Sequence, residues 1–140
     1  MRRSLFMLIT AALIFSFATA SASATTIKVR KSNSYGRYLT DSKGLTLYLF
    51  TRDKGKGKST CYGSCEKAWP IVRGKPKLAK GVKGKVGTTK RKDGRVQATL
   101  NGHPLYYYVD ERRAGQILCQ DVFEFGGTWL IVSPSGKAIR

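Results

Sequence analysis

Gly44-Leu45-Thr46-Leu47-Tyr48-Leu49-Phe50-Thr51-Arg52-Asp53 returns 58 positions later as Gly102-His103-Pro104-Leu105-Tyr106-Tyr107-Tyr108-Val109-Asp110-Glu111. Glycine, leucine, tyrosine, a second aromatic and an acid occupy matching places: Gly44/Gly102, Leu47/Leu105, Tyr48/Tyr106, Phe50/Tyr108 and Asp53/Glu111. The match runs on through Gly57/Gly115 and Cys61/Cys119, and a two-residue gap brings Trp69 opposite Trp129. One hairpin-plus-loop unit therefore occurs twice, over about 36–70 and 95–132. Because strand side chains alternate, Tyr48 and Phe50 share a face, as do Tyr106 and Tyr108. The acid three residues on falls in the loop leaving each strand. Large aromatics on one strand face are expected in the core, where a phenol end reaches a polar partner such as Asp53 or Glu111.

Around these segments, short apolar and β-branched runs alternate with turn residues, and no stretch keeps helical periodicity for three turns. Gly36 to Thr40 and Leu45 to Phe50 flank Asp41-Ser42-Lys43-Gly44, which suits a type I turn and predicts a hairpin. Val86 to Lys90, Val96 to Leu100 and Leu105 to Val109, joined through Lys92-Asp93-Gly94 and Asn101-Gly102, predict a three-strand meander. Thr128 to Val132 and Lys137 to Ile139 predict a closing hairpin around Ser133-Pro134-Ser135-Gly136. One short helix is expected from Ser64 as N-cap to Trp69, stopped by Pro70. Lys54 to Lys58 and Gly74 to Lys85 are expected to be exposed loops. The fold class is all-β or β-dominated: a small antiparallel domain with an internal duplication and one short helix, the runner-up being α+β.

The 140-residue chain opens with Arg2 and Arg3, an apolar run from Leu5 to Ala18, and Ala22-Ser23-Ala24 in a small-x-small pattern. Residues 1–24 thus read as a signal peptide, leaving 25–140 as one domain that is periplasmic or secreted, with no transmembrane segment after cleavage. The first cysteine is Cys61, so a cysteine lipid anchor is not expected. Lys plus Arg number 26 against 8 Asp plus Glu, a formal net charge of +18, which directs attention to anionic partners. Fifteen basic residues and three acids lie between Arg52 and Arg95, so much of the excess sits mid-chain. A single histidine and few carboxylates make most hydrolase constellations hard to assemble, and no catalytic residue is assigned.

The segments 47–53, 59–70 (Ser-Thr-Cys-Tyr-Gly-Ser-Cys-Glu-Lys-Ala-Trp-Pro) and 101–108 together resemble the bacterial and archaeal secreted-repeat proteins that carry a Y-x-[FWY]-x-x-D motif, many of them predicted lipoproteins. The resemblance covers roughly Tyr38 to Ala138 and implies a class without an established activity. The chain departs from that pattern in lacking a lipid-anchor cysteine, in having Glu111 where aspartate is expected, and in carrying the extra Cys119.

Cys61 and Cys65, in an exported domain, suggest a structural disulfide; pairings of either with Cys119 are the alternatives, and one thiol is left over in each. Cys61, Cys65, Cys119 and His103 are also four ligand types that suit copper or zinc, the basis of a redox or metal-handling alternative. His103 is expected in a turn, and no cofactor is expected. Stacking of sugars or bases on the motif aromatics would require them to be exposed. Lys75, Lys77, Lys80, Lys83 and Lys85 are the candidate anion-binding residues. Flexible lysines suit lipopolysaccharide phosphates, anionic lipid or cell-wall polymer, while the leader separates the protein from nucleic acid. The functional expectation is a non-enzymatic, envelope-associated binding or structural module.

Overall fold

The computed structural model describes residues 24–140; the expected signal peptide, apart from Ala24, lies outside the described residues. Nine strands form three small sheets, and one five-residue helix lies outside them. The first sheet has β1 (Thr26–Ser32) between antiparallel β2 (Gly36–Thr40) and parallel β4 (Lys77–Leu78). The second orders β3 (Tyr48–Phe50), β9 (Gly127–Ile131) and β8 (Val122–Glu124), all antiparallel. The third is a meander of β5 (Val86–Lys90), β6 (Val96–Leu100) and β7 (His103–Pro104). The β-dominated architecture read from the sequence is the one observed.

A backbone ribbon joins these pieces. Tyr48 and Tyr106 exchange both main-chain hydrogen bonds, at 2.9 and 3.1 Å. On its far side Tyr48 pairs with Ile131 and Tyr106 pairs with Ile71, so four chain segments run side by side with the two tyrosines at the centre. The flanks repeat the same logic. Leu39 N–H donates to Val132 O and Leu47 N–H to Leu39 O; correspondingly Ala98 N–H donates to Val72 O and Leu105 N–H to Ala98 O. The duplication is thus an approximate two-fold arrangement of hydrogen bonds.

The turns behave largely as their residues require. Asp41 closes its turn by accepting the Lys43 and Leu45 N–H groups on Oδ1, both at 2.9 Å. Asn101 and Gly102 both take positive φ, 51° and 77°, in the two-residue turn into β7. Val132 and Ala138 bridge, and Ile139 N–H donates to Ile131 O, forming the closing hairpin.

Several expectations need correction. The hairpin of Gly36–Thr40 with Leu45–Phe50 survives only at its base, in the Thr40–Thr46 bridge. Beyond it β2 pairs with β1, and Tyr48–Phe50 leaves to pair with β9, where its aromatics reach the shared core. The third meander strand is shorter than Leu105–Val109: only His103–Pro104 pairs with β6, because Tyr106 turns to the central ribbon. His103 accordingly opens a strand.

Gly63, at φ 60°, is the helix N-cap, and Ser64 begins α1 (Ser64–Ala68) without a side-chain cap bond. Glycine reaches that backbone angle at little cost, and α1 still ends before Pro70. The segment Gly74–Lys85 is no plain loop. Pro76 is buried, Lys77 N–H donates to Thr25 O, Ala79 N–H to Ile27 O and Lys83 N–H to Pro134 O.

Two apolar clusters fill the interior. One gathers Tyr38, Tyr48, Phe50, Trp69, Tyr106, Trp129 and Ile131 around Cys61 and Cys65; the other gathers Ile27, Leu39, Leu47, Val72, Ala98, Leu100, Leu105 and Val132. The two units also grip each other through glycine. Gly57 N–H donates to Gly102 O at 2.8 Å, and its counterpart Gly115 N–H donates to Gly44 O at 3.0 Å. A Cβ on Gly102 would lie 2.3 Å from Gly55 O, whereas one on Gly94, also at positive φ, meets nothing. Gly94→Ala should therefore cost about 1–2 kcal/mol, the left-handed backbone penalty alone. Gly102→Ala should cost clearly more. Urea unfolding of both variants checks the ordering.

Candidate functional site

The motif side chains converge on the centre of the ribbon, and each tyrosine hydroxyl crosses to the acid of the other unit. Tyr48 OH donates to Glu111 Oε1, and Tyr106 OH donates to Asp53 Oδ2. Each acid also ties its own loop. Asp53 Oδ1 accepts the Thr60 N–H and hydroxyl at 2.7 Å, and Glu111 Oε1 accepts the N–H of the equivalent residue, Leu118, at 2.7 Å.

The tryptophans follow the same symmetry. Trp69 and Trp129 stack with centroids 3.9 Å apart and planes 1° from parallel. Tyr48 meets Trp69 edge-on and Tyr106 meets Trp129 edge-on, within each unit. Across units, Phe50 stacks on Trp129 at 4.0 Å and Tyr108 tilts against Trp69 at 4.9 Å. Such pairs add about 0.5–1.5 kcal/mol each beyond the area they bury. Tyr48, Phe50, Tyr106, Trp69 and Trp129 are buried, so they present no stacking platform to a sugar or base.

Burial sets the proton affinities of this centre. Desolvation pushes both phenols upward, and the neighbouring carboxylates add to the rise. The Asp53 and Glu111 carboxyls are likewise raised by desolvation, against the opposing effect of the hydrogen bonds they accept. Glu111 Oε2 has no hydrogen-bond partner, because Tyr48 and Leu118 both donate to Oε1, whereas Asp53 takes Thr60 on Oδ1 and Tyr106 on Oδ2. Behind Tyr106, Ser59 Oγ lies 2.7 Å from its hydroxyl and accepts from Arg91 Nη1 at 2.8 Å. Behind Tyr48 the equivalent of Ser59 is Ile117, which offers no polar group.

Arg91 is the functional-looking residue that the sequence did not single out. Its side chain is wholly buried and donates to Ser59 Oγ, Gln97 Oε1, Cys61 O and Glu66 Oε2. Glu66 also pairs with Arg95, which pairs with Asp93; the Asp93 carboxyl is held down to about 2, chiefly by that Arg95 hydrogen bond. A usable signal existed, since Arg91 and Arg95 bracket Asp93-Gly94 in a segment otherwise rich in lysine, and a guanidinium fork suits buried multidentate pairing.

Cys61 and Cys65 form a disulfide across the start of α1, with Cα atoms 5.3 Å apart. Cys119 is free and buried, and burial raises its thiol. It is the counterpart of Cys61, while the position matching Cys65 holds the exposed Phe123. The metal alternative is not favoured, because the disulfide consumes two of its four ligands. His103 instead packs over Gly55, whose added Cβ would lie 2.8 Å from Nε2. Among the described residues no three His, Cys, Asp or Glu side chains cluster in a metal-holding geometry. The five candidate lysines, Lys75, Lys77, Lys80, Lys83 and Lys85, are all exposed on the segment strapped along β1 and onward to β5.

The profile of a protein family described as a secreted repeat of unknown function matches residues 29–73 and 87–133, the two halves of this pseudo-symmetric arrangement. No curated protein and no solved structure shows a significant match to the chain.

The raised Glu111 carboxyl gives a signed pH effect. Its folded value lies above its unfolded one, so the protonated form's contribution is complete below the unfolded value near pH ~4.3 and is lost as pH rises through the folded value. Glu111→Gln is neutral throughout and keeps an Oε1 acceptor for Tyr48 and Leu118. Relative to the parent, the variant should therefore gain stability between pH 4 and pH 7, measured by urea unfolding at both.

Proposed function

Because the chain belongs to the family of secreted repeats of unknown function, we propose that it is an exported, envelope-associated module without a catalytic role. In this reading its lysine-rich edge contacts anionic material: lipopolysaccharide, anionic lipid or a cell-wall polymer. The observation that carries this is where the acids are spent. Asp53 and Glu111 lock the core, Asp41 organises a turn and accepts from Tyr107, Glu66 and Asp93 hold two arginines, and Glu124 accepts from Trp69 Nε1. Every salt bridge among the described residues involves Arg91 or Arg95. The exposed lysines thus face solvent without ion-pair partners.

Their backbone supports the same reading. Lys77 lies in β4 and Lys85 N–H donates to Asn101 Oδ1 at 2.8 Å, so these charges are displayed from an anchored ribbon rather than a free tail. A lysine near an anionic surface contributes about 1 kcal/mol, and several acting together give firm, salt-sensitive attachment. Co-sedimentation with phosphatidylglycerol-containing and neutral vesicles, and with lipopolysaccharide, tests it. Binding should require the anionic component and fall sharply as salt rises toward 1 M. Replacing Lys75, Lys77, Lys80, Lys83 and Lys85 with Gln should abolish most of it without lowering the melting temperature. Equal binding to neutral vesicles, or indifference to salt and to those substitutions, contradicts the proposal.

A further inference from the structure

Beside Arg91 the surface opens into a cavity of about 310 Å³. Three lysines, Lys58, Lys90 and Lys92, and two hydroxyl residues, Ser59 and Thr89, line it. Tyr62 supplies an aromatic wall and no carboxylate lines the space. Arg91 lies buried beneath the cavity, its guanidinium carbon 4.1 Å from the Tyr62 ring centroid, with Lys92 Nζ at 5.6 Å from the same ring.

The nearby acids do not cancel this field. Glu66 and Asp93 are engaged by Arg91 and Arg95, a balanced quartet that leaves the charges of Lys58, Lys90 and Lys92 uncompensated. The guanidinium is immobilised by Ser59, Gln97, Cys61 O and Glu66, so the base of the cavity is ordered before any ligand arrives. Three lysines and two hydroxyl residues around one concavity match a group with several acceptor oxygens and a double negative charge. The volume lies at the small end of ligand pockets, roughly 300–1,000 Å³, and leaves room beside such a group for one ring against Tyr62.

We propose that the cavity between Tyr62 and Lys58, Lys90 and Lys92 binds a phosphate monoester carried on a sugar. This deepens the anionic-surface reading, on which it rests for the source of the group, yet it uses different residues from the Lys75–Lys85 edge.

Backbone amide NMR titration of the intact domain with glucosamine 1-phosphate, inorganic phosphate and glucosamine tests the assignment, with phosphatidylglycerol vesicles as a parallel arm. Glucosamine 1-phosphate should give saturable shifts centred on Tyr62, Thr89 and Lys90, at least fivefold tighter than inorganic phosphate, and glucosamine should give none. The triple variant Lys58→Gln, Lys90→Gln, Lys92→Gln should weaken binding tenfold or more with an unchanged melting temperature. The five-lysine edge variant should bind the sugar phosphate within twofold of the parent. Absence of saturable shifts, shifts spread over Lys75–Lys85, or indifference to the triple substitution would overturn the site. Equal affinity for inorganic phosphate would overturn the sugar. Vesicle binding retained alongside failed sugar-phosphate binding refutes this inference alone, and the reverse pattern refutes the anionic-surface reading alone.

Discussion

Tyr48 and Tyr106 hold each other by two backbone hydrogen bonds, and from that fixed pair each hydroxyl crosses to the acid of the opposite unit. This exchange constrains the rest of the structure. It sets the spacing at which Trp69 and Trp129 stack, and it places each glycine turn beneath the loop of the other unit. A single unit would leave its tyrosine without an acid and its tryptophan without a stacking partner. In a buried setting an unmatched phenol or carboxyl is costly, so completing the core requires both halves.

The two halves are not chemically equal. The side around Asp53 has a disulfide, a helix and Ser59 bonded to both Tyr106 and Arg91; the side around Glu111 has a lone buried thiol, the β8–β9 hairpin and Ile117 in the corresponding place. Polar elaboration has accumulated on one side of the approximate dyad. On that same side the cavity at Tyr62 opens, next to a guanidinium already held in place. Acids drawn inward to lock the scaffold leave the lysines outside without counter-charges, which connects the packing of the core to the electrostatics of the surface.

Much of this was legible in the residues. The 58-residue offset exposed the duplication, Asn101-Gly102 marked its turn, and the Tyr/Phe alternation identified a buried face. Which acid each tyrosine would reach was not legible, because contact within a unit and contact across units have the same sequence pattern. In β1 Ile27 and Val29 alternate with Lys28 and Arg30, a period-two signal, but one too short to stand out beside the leader. The two-residue β4 exists only because β1 offers it an edge. The β8–β9 hairpin turns on Phe125 and Gly126, both at positive φ, and phenylalanine is a residue that ordinarily avoids such a turn. Arg91 was hidden for a related reason: a buried cation is defined by partners drawn from three separate stretches, the loop at Ser59 and Cys61, α1 and β6.

The exchange of acids between units is most directly tested by double-mutant cycles on unfolding free energy, with Tyr48→Phe and Tyr106→Phe each combined with Asp53→Ala and Glu111→Ala. The account predicts coupling of about 1–3 kcal/mol for Tyr48 with Glu111 and for Tyr106 with Asp53, and no more than about 0.5 kcal/mol for Tyr48 with Asp53 and for Tyr106 with Glu111. Strong coupling within units and weak coupling across them would contradict it.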